Sequence, residues 1–271
     1  MVDLTKRYSA LEETIRHAGA CALEFYKNRD NLEIEAKSDA HDLVSLADRA
    51  VEDIIKQRLL DLFPEDGFLG EESGSDNLNI EGGVWVCDPI DGTANFLKGF
   101  DYWCVSIGYY YNGKIELGCV YDPNTDTLFS ARAGMGATKN GQPLAIAPVV
   151  DHRSATICLG ISNRVDFSVY PFAINYLHDN GMEHRRMNCG ALGLVHSTDG
   201  HTEGYFEPHL NSWDMLAGIL IVEEAGGKCF PEQTGPGLLK GGPILAIAPG
   251  LEEILAPLIE HPVCQQQLNL T

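Results

Sequence analysis

Two runs of alternating side chains, 103–111 and 115–121, meet at Asn112-Gly113, and a third strand-like run follows near 127–131. Asn-Gly supplies the positive φ angles of a two-residue hairpin loop, so this stretch reads as an antiparallel meander. A sheet with an apolar face must be covered, and the chain offers the cover upstream. Leu4, Tyr8, Leu11, Ile15, Ala18, Ala22 and Phe25 recur at steps of three and four behind Asp3, which predicts an amphipathic helix over 4–28. Ala47, Val51, Ile54, Ile55, Leu59 and Leu62 predict a second over about 46–62, stopped by Pro64. Downstream, strands near 154–159, 183–188, 203–207, 228–230 and 244–248 alternate with helices near 166–179, 191–198, 213–225 and 251–260. Two helices, a meander, then mixed strand and helix do not make a repeating βαβ array; they read as stacked layers of a mixed α/β (α+β) fold. The Gly/Pro-containing stretch 134–150 is the only seam, separating an N-terminal half (1–147) from a C-terminal half (148–271) within one unit. The tail from Glu260, with Gln265-Gln266-Gln267, reads as exposed and weakly ordered.

The strongest chemical signal lies just before the meander. Val84-Trp85-Val86-Cys87 is a buried-strand run that delivers Asp88-Pro89-Ile90-Asp91-Gly92-Thr93, two carboxylates three residues apart across a stiffening proline. Carboxylates held close together resist joint ionisation unless a cation neutralises them. Oxygen ligands select a hard cation, magnesium first. The N–H groups of Gly92 and Thr93, at what reads as a helix start, suit a phosphate oxygen. An EF-hand is excluded, because the alternate positions after Asp88 are Ile90 and Gly92 and the twelfth is Gly99. Two further acidic features stand elsewhere: Gly70-Glu71-Glu72-Ser73 behind an apolar Phe68-Leu69, and Trp213-Asp214 at the start of the helix over 213–225.

Other classes are disfavoured. With 39 Asp plus Glu against 19 Lys plus Arg, the formal charge is −20, and such a surface repels nucleic-acid backbones and anionic membranes. No apolar run approaches a membrane span, and the N-terminus runs into a charged helix without a signal-peptide core, so a cytoplasmic protein is expected. Eight scattered cysteines without a CxxC read as small core residues. Nine histidines include no HExxH, and the spacings His196/His201 and His178/His184 are not those of a helical metal pair. Neither a GxxxxGK nor a full dinucleotide loop is present, nor a Gly-x-Ser-x-Gly elbow. Tyr109-Tyr110-Tyr111 reads as a strand with alternating faces, and Arg185-Arg186 as a surface strand pair ahead of the alternative, reach to an anion.

Gly70-Glu71-Glu72-Ser73, Asp88-Pro89-Ile90-Asp91-Gly92-Thr93 and Trp213-Asp214 with Ala217-Gly218, in this order and spacing, resemble the inositol monophosphatase family of magnesium-dependent, lithium-sensitive phosphatases. The resemblance runs along essentially the whole chain, including Lys37, Asp42-Leu43-Val44-Ser45 with Ala47-Asp48, and 204–207. It implies a layered α-β-α-β-α sandwich, a homodimer, and two to three Mg2+ ions. By resemblance, Glu71, Asp88 and the Ile90 carbonyl hold one ion, and Asp88, Asp91 and Asp214 a second. A third lies by Glu71, with Asp48 as an outer-shell or direct partner. Glu71 and Thr93 then orient and deprotonate a metal-activated water for in-line attack on phosphorus. The alcohol part is held by Asp91, Glu207, Ser162 and the Gly190, Ala191 and Leu192 segment, with Gly92, Thr93 and Asp214 beside it. Ala191 departs from the Thr or Ser expected at that position, which removes a hydroxyl near the leaving group. The implied substrate is a small phosphorylated polyol, inositol 1-phosphate first. Sibling enzymes act on histidinol phosphate, fructose 1,6-bisphosphate or 3′-phosphoadenosine nucleotides, and some bacterial relatives also bind transcription machinery.

Overall fold

The computed structural model describes residues 2–28, 34–36, 43–76, 82–231 and 235–268; Lys37 and Asp42 lie outside the described residues. Helix α1 (Leu4–Lys27) begins where Asp3 Oδ1 accepts the Lys6 backbone N–H at 3.0 Å. Strands β1 (Ile34–Ala36) and β2 (Leu43–Ser45) form a short antiparallel pair leading into α2 (Leu46–Leu62). Both helices have the expected ranges, and Leu11, Ile15, Val51, Ile55 and Leu59 of their apolar stripes are fully buried, whereas Leu62, at the end of α2, is 48% exposed.

The stripes bury against an eight-stranded sheet built from β3 (Gly67–Gly70), β4 (Gly74–Asp76), β5 (Gly83–Asp91), then, after helix α3 (Thr93–Lys98), β6 (Cys104–Tyr111), β7 (Lys114–Asp122), β8 (Thr127–Arg132), β9 (Ala137–Lys139) and β10 (Gln142–Leu144). The spatial order is β10-β9-β8-β7-β6-β5-β3-β4, antiparallel except for the β3–β5 pair. The expected meander is present, and the sheet extends it by β9 and β10, inside the stretch read as a seam. Tyr109 packs on the α1/α2 side with Trp85, whereas Tyr110 buries in the opposite layer, as alternation requires. A buried ionic anchor fastens α1 below this sheet: Arg7 donates to both Asp66 oxygens at 2.8 and 3.0 Å, and Trp85 and Tyr109 donate to the same carboxylate.

The second half supplies β11 (Thr156–Leu159), α4 (Val169–Asp179), β12 (Glu183–Arg185), α5 (Gly190–Val195), β13 (Gly204–Leu210), α6 (Ser212–Glu224), β14 (Lys228–Phe230), β15 (Gly242–Ile247), α7 (Glu252–Ile259) and α8 (Pro262–Leu268). Its five strands pair in the order β12-β11-β13-β15-β14. Helices α5 and α6 lie between the two sheets, and α4, α7 and α8 cover the far face of the second. The layers are therefore α-β-α-β-α. Helix α6, with Met215–Val222 all buried, is apolar on every side because it faces a sheet on each. Its approach to the first sheet depends on Gly108 and Gly118, paired across β6 and β7: a Cβ on Gly118 would lie 2.8 Å from the Ala217 carbonyl oxygen.

Two expectations are corrected, and one histidine pair meets by another route than helical spacing. The tail beyond Glu260 forms α8, where Cys264 is fully buried and Gln267 donates to the Pro208 carbonyl at 2.5 Å. His196 and His201, though five residues apart, both bring Nδ1 to Asp199, at 3.3 and 2.6 Å, and Lys139 pairs with the same carboxylate. A tight turn after α5, not helical spacing, brings them together. Arg186 is not part of a surface strand pair: it stands just past β12 and faces the cavity described below. Seven of the eight cysteines are buried, as expected, although two of them, Cys158 and Cys189, also border a cavity.

Candidate active site

Strand β5 continues past the apolar run through both aspartates. On a regular strand, residues three apart point to opposite faces. Here the pairing shifts between Asp88, opposite Ser106, and Asp91, opposite Cys104, so three steps on β5 match two on β6. That bulge, at Pro89 with no N–H to give to the ladder, turns both carboxylates toward one cavity. Asp88 Oδ1 accepts the Ile90 N–H at 2.9 Å, which holds the bulge from inside. Gly92 then takes φ 92° and caps α3, a left-handed conformation for which glycine is suited. Thr93 donates its hydroxyl to the Ile90 carbonyl at 3.0 Å.

Asp214 arrives from the other half, in the first turn of α6, where its Oδ2 accepts from the backbone and side-chain nitrogens of Asn211 at 3.2 and 3.1 Å. Oxygens of Asp88, Asp91 and Asp214 lie within 4.8 Å of one another, all three residues buried. Burial first, and the neighbouring acids next, push the Asp88 carboxyl above its ordinary range, and burial raises that of Asp214 as well. Asp91 is raised by burial first and by Asp214 next. Such a cluster ionises fully only beside a cation, and its oxygen donors fit a hard divalent ion.

These residues line one end of a cavity of about 580 Å³ together with Glu71, Gly92, Thr93, Ser162, Gly190 and Glu207. Glu71 ends up there because β3 runs parallel to β5 and the following loop is tied down. Glu52 of α2, buried, accepts the Glu72 and Ser73 backbone N–H groups at 2.9 and 2.8 Å. Gly70 permits this, since a Cβ there would lie 2.3 Å from the Glu52 carboxylate. Glu207, on β13, is buried and accepts the Tyr205 hydroxyl; burial and the aspartates raise its carboxyl to about 8.

Not every expected residue reaches the cavity wall. Ala191 and Leu192 are wholly buried within α5 and do not line it; instead the Ala191 N–H donates to Asp91 Oδ2 at 2.6 Å. The side chain that does face the cavity at the head of α5 is Cys189, whose thiol donates to the same oxygen at 3.1 Å. Ile90 has its side chain in the core, leaving only its backbone for the site. Asp48 is buried in the first turn of α2 and is not part of the cavity lining. Sequence reasoning missed Glu52, Cys189, Arg164, Asn188 and His209. Glu52 alone left a trace, as an acid one turn from Asp48 among apolar residues.

A sequence profile of the Inositol monophosphatase family matches residues 3–263. Nus factor SuhB of Pasteurella multocida is 35% identical over 89% of this chain and 91% of its own length. Inositol-1-monophosphatase of Rhizobium meliloti is 31% identical over 94% and 96%, respectively. Among solved structures, the extragenic suppressor protein suhB of Bartonella henselae superposes with a TM-score of 0.86 at 31% identity, covering 94% of this chain and 98% of that one. With the family's profile spanning nearly its whole length and relatives above 30% identity covering it, the chain belongs to the inositol monophosphatase family.

Proposed function

We propose that this protein hydrolyses the phosphate monoester of a small polyol or sugar, inositol 1-phosphate first, in a Mg2+-dependent reaction. The observation that carries the reading is the convergence of Asp88, Asp91 and Asp214, buried, on a cavity that also presents Glu71 and the head of α3. The residues suited to Mg2+ are Glu71, Asp88, the Ile90 carbonyl, Asp91 and Asp214. When bound, the cation supplies charge neutralisation and Lewis acidity toward the attacking water and the phosphoryl oxygens.

The chain's own groups supply the rest. Thr93 donates its hydroxyl hydrogen bond to the Ile90 carbonyl, so its oxygen lone pairs are left to accept from a water. Glu71 is the carboxylate to take that water's proton as attack on phosphorus begins. The amides of Gly92 and Thr93 suit the phosphoryl oxygens. Asp91, fixed by Ala191 N–H and the Cys189 thiol, and Glu207, fixed by Tyr205, are acceptors for neighbouring hydroxyls of a polyol. A homodimer in the cytoplasm completes the reading.

A second substrate reading has its own observation. Arg164 and Arg186 line the cavity, and two guanidinium groups suit a second phosphate, as in a bisphosphate or a phosphorylated nucleotide. Phosphate release from inositol 1-phosphate, glycerol 2-phosphate, fructose 1,6-bisphosphate, histidinol phosphate and 3′-phosphoadenosine 5′-phosphate, with Mg2+, with EDTA and with lithium, ranks the candidates. Mg2+-dependent release led by a monophosphate supports the first reading. Release led by a diphosphorylated substrate, with a KM raised by Arg164→Ala or Arg186→Ala for that substrate alone, supports the second. No release from any member overturns both. Relatives named Nus factor SuhB raise a regulatory protein-binding role, for which a partner retained by Asp91→Asn is the evidence.

A further inference from the structure

Beside the cluster of aspartates, and outside the oxygen set assigned to Mg2+, two thiols converge. Cys104 is the direct cross-strand partner of Asp91 on β6, so the two side chains share a face of the sheet. Cys189, at the head of α5, drops onto that pair. Its Sγ lies 3.8 Å from Cys104 Sγ, 3.1 Å from Asp91 Oδ2 and 3.4 Å from the Asp91 carbonyl oxygen. The two sulfurs and a carboxylate oxygen all fall within 4.8 Å of one another. Among the described residues, no other group of three or more candidate metal-ligating side chains contains a thiol.

The spacing has a chemical meaning. Two thiolates at about 2.3 Å from a tetrahedral ion stand about 3.8 Å apart. Sulfur ligands favour soft or borderline ions over magnesium, which keeps to oxygen. We infer that Asp91, Cys104 and Cys189 form a second metal site, for a thiophilic divalent ion such as Zn2+ or Cd2+, that shares Asp91 with the Mg2+ cluster and shuts it down when filled. Binding forms two metal–sulfur bonds and breaks two S–H bonds, releasing two protons to water, with no change of oxidation state. The Asp91 carboxylate is the third ligand, and a water takes the fourth position. Cys189 lines the cavity, so the ion enters by the same mouth as the substrate. Once Asp91 is drawn toward sulfur it no longer completes the oxygen set with Asp88 and Asp214.

Cadmium reports on this site without any reference to turnover, through its thiolate-to-metal charge-transfer absorption in the ultraviolet. The full-length protein, freed of metal and kept reduced, is titrated with Cd2+, alongside Cys104→Ala and the remote Cys264→Ala. The expected result is a band saturating near one ion per chain in the parent and in Cys264→Ala, and lost in Cys104→Ala. In parallel, Zn2+ is titrated into Mg2+-dependent phosphate release. Cys104 lies outside the groups assigned to catalysis, so Cys104→Ala keeps its basal turnover and needs at least about tenfold more Zn2+ for half-inhibition. A band absent from the parent, or equally strong in Cys104→Ala, overturns the site. Zinc inhibition unaltered in Cys104→Ala overturns its regulatory consequence. Because the absorption is read without substrate, failure of the phosphatase reading leaves that arm intact and is seen separately, as absence of phosphate release.

Discussion

Asp88, Asp91 and Asp214 are three acids gathered where water is scarce, and without a cation they repel one another. Asp88→Asn removes one oxygen donor and one charge. Mg2+-dependent phosphate release is expected to fall by at least about 100-fold, while thermal melts in EDTA show no loss of stability. Glu207 carries a separate signature. Its carboxyl is raised to about 8 in the fold, against about 4.3 unfolded, so the protonated form is the one folding favours. Its stabilising contribution is full below the unfolded value and is lost as pH rises through about 8. The metal-free Tm is thus expected to drop between pH 5 and 9, and Glu207→Gln to drop less; parallel melts of the two proteins check this. At this scale the sequence was legible where chemistry is concentrated in a few adjacent letters, as in Asp88-Pro89-Ile90-Asp91. It was silent on Cys189 and ranked Arg186 as a surface charge ahead of an anion contact, because nothing local distinguishes a cavity-facing thiol or arginine from a core cysteine or a surface charge.

Elements obey their local patterns when one face is buried and the other wet. The ranges of α1 and α2, and the hairpin at Asn112-Gly113, follow from periodicity and turn chemistry alone. Helix α8 was read as a loose tail because its glutamines are polar; Cys264 and the Gln267 bond to Pro208 fasten it to the end of β13. Strands β9 and β10, at the rim of the sheet, escaped notice because runs of three residues carry too short a pattern. The seat of α6 on β6 and β7 depends on missing side chains rather than present ones. Gly118→Val would press a branched side chain against the Ala217 backbone, with an expected loss of about 1–3 kcal/mol in urea unfolding.

At the scale of the whole molecule, the site joins two halves of the chain: Asp88 and Asp91 come from the first sheet and Glu71 from the turn after β3, Asp214 and Glu207 from helix α6 and the second sheet. A ligand that bridges them favours the folded state by mass action, so saturating Mg2+ should raise Tm. At a hundredfold excess over its Kd the gain is about 2.7 kcal/mol, read as the shift between melts in Mg2+ and in EDTA. Asp88→Asn should lose most of that shift. The amino-acid sequence by itself determined the layered class, the main helices and the meander, because amphipathic periodicity is a local consequence of which face must leave water. It also determined that carboxylates and a glycine-led helix start stand together on β5. Only the tertiary structure decided which distant groups meet them. The bulge that turns Asp88 and Asp91 to one side, the seating of Glu52 beneath Gly70, and the fall of Cys189 onto Asp91 opposite Cys104 all depend on pairing registers and packing between elements remote in the chain.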